Sequence, residues 1–156
     1  MMRLSENFTL SEITRSNTAK RKGIDNNPTE EHLHNILDLT TNILQPLRDC
    51  LGSIRISSGY RSPRLNRSIG GSKKSQHCKG QAADLQYWEN GRMNNEKIYN
   101  TILSKNIEFD QMINEFNFSW IHISFSKDKN RREVLEAYKD ADGDTCYRYP
   151  KNYKAL

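Results

Sequence analysis

The chain has 156 residues, a length that fits one domain with a core large enough to stand without disulfide or metal staples. With 24 Lys and Arg against 19 Asp and Glu the net charge is +5, an excess that favours anionic partners, cell wall or nucleic acid, without choosing between them. No apolar run reaches the ~20 residues of a membrane span, the Met-Met-Arg-Leu-Ser-Glu-Asn-Phe start lacks a secretory core, and Cys50, Cys78 and Cys146 contain no Cys-x-x-Cys pair, which argues against a disulfide framework and a thiolate metal site.

Taken in order, Thr9-Leu10-Ser11-Glu12 has the form of a capping box and opens a short helix. Lys20-Arg21-Lys22 reads as a solvated basic loop, since it carries no interleaved aromatics. Asn27-Pro28-Thr29-Glu30 starts the longest helix, with Asn27 as N-cap, an apolar stripe from Leu33 to Leu47, a loosened last turn at Pro46 and a stop at Gly52. His32 and His34 lie two apart on it, cannot share a face, and read as surface residues. Ile54–Ser58 alternates as a strand, and Ser62-Pro63 caps a short helix inside the long segment from Gly59 to Ser75, read as one wall of a site. After a turn at Tyr87–Gly91, where Tyr87 and Trp88 are expected to pack, a helix from Asn95 to about Lys105 turns Ile98, Ile102 and Leu103 inward. Phe109–Phe116 is a strand with Gln111, Ile113 and Glu115 on one face, joined through Asn117-Phe118-Ser119 to a partner strand. Val134–Tyr138 and Thr145–Tyr149 flank Asp140–Asp144 and read as an exposed terminal hairpin with an Asp-Gly turn, without the spacing of a calcium loop.

The chemistry centres on Ser75–Leu85. His77 and Asp84 are separated by Gly80, which lets the backbone reverse, and Ala82, Ala83 and Leu85 start a strand that holds Asp84. In Trp120–Phe125 strict alternation puts Trp120, His122 and Ser124 on one face and Ile121, Ile123 and Phe125 on the other. Two imidazoles and a carboxylate suit a zinc with an open fourth position; polar groups satisfied by the fold are the alternative. Cys78 reads as an incidental neighbour of His77.

Ser75-x-His77-x-x-Gly80-x-Ala82-x-Asp84, with Ser58-Gly59-Tyr60-Arg61-Ser62 and Gly70-Gly71 before it and Trp120-x-His122 after it, resembles the zinc D-alanyl-D-alanine carboxypeptidases and the phage or bacterial peptidoglycan endopeptidases. The likeness runs from about Phe8 to Tyr138. It implies an α+β fold, helices packed on a small antiparallel sheet; the chain length gives one domain over residues 1–156, and the residue pattern a terminal hairpin or tail at 139–156. The likeness implies a Zn2+ cofactor held by His77, Asp84 and His122, hydrolysis of a peptide bond in peptidoglycan stem peptides or cross-links, and Arg61 in contact with substrate or oxyanion. Ser75 is expected to orient substrate or brace the loop. Such enzymes usually carry an acid three residues before the final histidine; here that position is Ser119, so Glu115 is the candidate general base, with Glu108 and Asp110 in reserve. The expected protein is a monomer made in the cytoplasm without a signal segment, of phage-lysis or wall-processing type, brought to the wall by another agent. A non-catalytic zinc module of the same fold and a basic nucleic-acid-binding protein are the competing readings.

Overall fold

A computed structural model describes residues 1–152; the last four residues of the expected tail lie outside the described region. Helix α1 (Leu10–Thr14) opens as anticipated, with Glu12 accepting from the backbone N–H of Thr9. Helix α2 (Asn17–Lys22) covers the basic run expected to be a loop, because Ser16 caps Ala19 N–H and Gly23 closes it in the left-handed region. Helix α3 spans Glu30–Leu39, and its N-cap is Thr29, whose hydroxyl accepts from His32 N–H; Asn27 instead folds back on Asp25. A π turn at Thr40–Leu44 leads into α4 (Gln45–Leu51). Pro46 has no N–H to give an intrahelical carbonyl, and the loosening it causes falls in the turn just before it.

The main sheet has six strands: β1 (Arg55–Ser58), β2 (Ala82–Gln86), β5 (Gln111–Glu115), β6 (Trp120–Ser124), β7 (Glu133–Lys139) and β8 (Thr145–Arg148). Their order is β1-β2-β6-β5-β7-β8. All pairings are antiparallel except β5 with β7, which run parallel. Two further short strands, β3 (Trp88–Glu89) and β4 (Arg92–Met93), form a separate ribbon around Asn90-Gly91, both at positive φ. Tyr87 is buried as expected, whereas Trp88 is exposed.

Period-two alternation gives the main sheet two different faces. Ala83, Leu85, Met112, Ile121, Ile123 and Val134 pack with Ile36, Leu39, Ile43 and Leu47 of the α3–α4 segment. Ile98 and Ile102 of helix α6 (Asn95–Ser104) complete that core. The opposite face, with Asp84, His122, Ile113 and Glu115, is left to line a cleft. Helix α5 (Pro63–Ser68) is capped by Ser62, and the loop that follows it brings Ser72, Lys74 and Ser75 to the cleft.

The terminal hairpin forms, but it is not a free appendage. β7 lies inside the sheet with Val134 and Ala137 buried, and its parallel alignment beside β5 carries β8 to the sheet edge. Its Asp140–Asp144 turn is tied by Asp140, whose carboxylate accepts from Asp142 and Asp144 N–H.

Candidate metal centre

Three side chains from two neighbouring strands and one turn converge. Asp84 and His122 are directly paired residues of β2 and β6, so their side chains rise together from the same face. His77 arrives from a 3-10 turn, Gln76–Lys79, which Gly80 ends at φ 74. A Cβ on Gly80 would come 2.5 Å from the carbonyl oxygen of His32, so the turn that delivers His77 tolerates no side chain there. Asp84 Oδ1 lies 3.3 Å from His77 Nε2 and 3.1 Å from His122 Nδ1. Ligand atoms of a tetrahedral zinc stand about 3.3 Å apart, the edge of a tetrahedron with bonds of about 2.0 Å. The donor set and its spacing therefore fit the ion. Among the described residues this is the one group of three such side chains, with candidate ligand atoms all within 4.8 Å.

The supports of this group are as telling as its members. His77 Nδ1 is 2.7 Å from Gly59 O, and a carbonyl only accepts, so the proton sits on Nδ1 and Nε2 keeps its lone pair for the cleft. Gly59 is itself pressed against α1: a Cβ there would be 2.3 Å from Ile13 O, which accepts from Tyr60 N–H. Burial would raise the Asp84 carboxyl, but the hydrogen bond from His122 and the closeness of the His77 ring outweigh it and hold the group well below the usual carboxylate range.

A cleft of about 610 Å³ contains all three, together with Arg61, Ser75, Glu115, Trp120 and Tyr147. Glu115 is buried, at 8 % exposure, and its carboxyl is pushed up to about 7. Burial is the main cause, the charge of Asp84 adds to it, and His122 opposes it. The reserve acids are placed differently. Glu108 is exposed and does not line the cleft. Asp110 is buried and spent: its oxygens accept from Arg131 N, Nε and Nη2 and from Gln76 Nε2. Burial would raise Asp110, yet those bonds keep it below its ordinary value. It clasps the loop after β6 to the turn that carries His77, a tie that spacing along the chain did not reveal.

Arg61 and Ser75 meet, with Arg61 Nη2 3.4 Å from Ser75 Oγ. No carboxylate pairs with Arg61 among the described residues, and its Nε is buried without a partner. Ser119 is exposed, and its hydroxyl donates to Phe116 O. The turn before it was expected but not its shape: Phe116, Asn117 and Phe118 all have positive φ, stabilised by Asn114 Oδ1 accepting from Phe118 N–H. This turn sets the Phe116 ring against Trp120, at a centroid distance of 5.5 Å. Cys78 is buried beside the site, and burial pushes its thiol up against the pull of Arg61. His32, expected at the surface, is half-buried and contacts the Tyr60 hydroxyl at 2.9 Å.

Comparison with known proteins agrees with this geometry. Among curated proteins none matches the chain. The family model described as Peptidase M15 matches residues 6–124, a stretch that contains Arg61, His77, Asp84, Glu115 and His122, and the chain therefore belongs to the M15 peptidase family.

Proposed function

We propose that this chain is a zinc-dependent peptidase that hydrolyses a peptide bond in peptidoglycan stem peptides or cross-links. The observation that carries the reading is the convergence of His77, Asp84 and His122 in one cleft with a buried carboxyl, Glu115. His77 Nε2, Asp84 Oδ1 and His122 Nδ1 would hold the ion, which when bound acidifies a water molecule and polarises a carbonyl. Glu115 stands on the strand beside His122, with no ion-pair partner among the described residues. Its carboxylate takes the proton of the attacking water and passes it to the leaving amine, work suited to a group whose pKa is drawn towards 7. Arg61 offers its planar fork to a carboxylate or developing oxyanion of the peptide, and Ser75 braces that fork.

The non-catalytic alternative drew its support from Ser119, but Ser119 is not among the residues that line the cleft, whereas Glu115 supplies a carboxyl inside it. The test is digestion of purified peptidoglycan by zinc-loaded protein, with the new termini read by mass spectrometry. Cleavage is expected, lost with chelator and restored by zinc. Glu115→Gln is expected to keep its zinc while turnover falls by roughly two to four orders of magnitude. Intact peptidoglycan after incubation with fully loaded protein would refute the proposal.

A further inference from the structure

The β7–β8 hairpin lies beyond the residues matched by the family, 6–124, yet it closes one side of the cleft with Leu135, Thr145 and Tyr147. Strand register explains why. Glu115 stands beside Ala137 across the parallel pairing, and Ala137 stands beside Tyr147 across the antiparallel one. Residues paired in this way share a face, so the three form one row across the sheet. With strands about 4.8 Å apart, the Tyr147 backbone lies roughly 10 Å from that of Glu115. A tyrosine can lean across most of that span, and Ala137 between them raises only a methyl group. Tyr147 is 54 % exposed, and its hydroxyl has no hydrogen-bond partner among the described residues. A phenol is protonated at neutral pH and able to donate; partial burial and the charges of Glu115 and Asp84 push it further up from its ordinary value. On the other side of Glu115 the same row continues to Trp120, against which Phe116 packs. The floor around Glu115 is thus flanked by an aromatic pair on one side and the exposed Tyr147 phenol on the other.

We infer that Tyr147 is a substrate-binding residue, its ring lying against the bound peptide and its hydroxyl donating to a backbone carbonyl of that peptide on the Glu115 side of the cleft. This rests on the peptidase reading above and adds a contact from a segment outside the family match.

The test compares Tyr147→Phe and Tyr147→Ala with wild type, all zinc-loaded, by steady-state kinetics on soluble muropeptides. Removing one hydrogen bond should raise KM about fivefold in Tyr147→Phe, with kcat within about twofold of wild type. Removing the ring should raise KM by roughly twentyfold or more in Tyr147→Ala. Zinc content should not change in either variant. Arg148→Ala serves as a control on the same strand, because Arg148 lies over the Tyr138 ring and away from the cleft; its KM should equal that of wild type. Wild-type KM in both tyrosine variants overturns the inference, and so does a loss confined to kcat. The isosteric phenylalanine keeps the test decisive if the alanine variant folds poorly. Wild-type protein that cleaves no muropeptide defeats the peptidase reading and this inference with it, whereas an active wild type with unaffected Tyr147 variants defeats this inference alone.

Discussion

Glu115→Gln has a consequence for stability that is independent of catalysis. In the metal-free protein the Glu115 carboxyl is pushed up to about 7 from an ordinary 4.5, chiefly by burial. A group whose folded pKa is raised contributes its full stability below the unfolded value and loses it as pH climbs through the folded value. Below about pH 4.5 the group is protonated in both states, and the native protein carries no penalty. Above about pH 7 the native protein must hold a buried charge that the unfolded chain leaves in water. The shift of about 2.5 units at 1.36 kcal/mol per unit gives roughly 3 kcal/mol of stability lost by wild type between those limits. The glutamine side chain of the variant has no such proton to lose. The stability difference, variant minus wild type, should therefore grow by about 3 kcal/mol from pH 4 to pH 8, measured by urea denaturation of both proteins in chelator. Groups that titrate alike in the two proteins cancel in that difference. Bound zinc should flatten the dependence, since a nearby cation favours the carboxylate. A difference that stays constant across this pH range would refute the reasoning and place the Glu115 carboxyl in water.

Two further outcomes test the site from other directions. His122→Ala should bind zinc severely less tightly, read by elemental analysis and competition with a chelator; full occupancy at unchanged affinity would remove His122 from the ligand set. Arg61→Lys should lose most peptidoglycan hydrolysis at unchanged zinc content, because a single ammonium cannot reproduce a bidentate fork; wild-type rates would reduce Arg61 to a brace for Ser75.

Local chemistry was legible in the sequence wherever one short segment decides it. Alternation in Trp120–Phe125 requires His122 to face away from the core, and the structure keeps Ile121 and Ile123 fully buried behind it. Gly80 was needed because the chain must reverse between two side chains that end 3.3 Å apart. The Thr9 capping box needed only residues within one helical turn. The α2 helix was missed, because three adjacent lysines and arginines look solvated whether or not Ser16 and Gly23 close a helix around them.

Tertiary structure decided which segments became neighbours. A period-two pattern says which face a side chain takes but not which strand lies alongside or in which direction it runs. Val134–Tyr138 would alternate in the same way in a free hairpin as in its actual place, parallel to β5. What selects that place is burial of Val134 and Ala137 against residues more than twenty positions away, together with the Arg131–Asp110 clasp that turns the incoming chain. The same non-local packing separated the three candidate acids. Glu108, Asp110 and Glu115 lie close together in sequence, but only the fold left Glu108 exposed, tied Asp110 to Arg131 and buried Glu115 beside His122, without an ion-pair partner among the described residues.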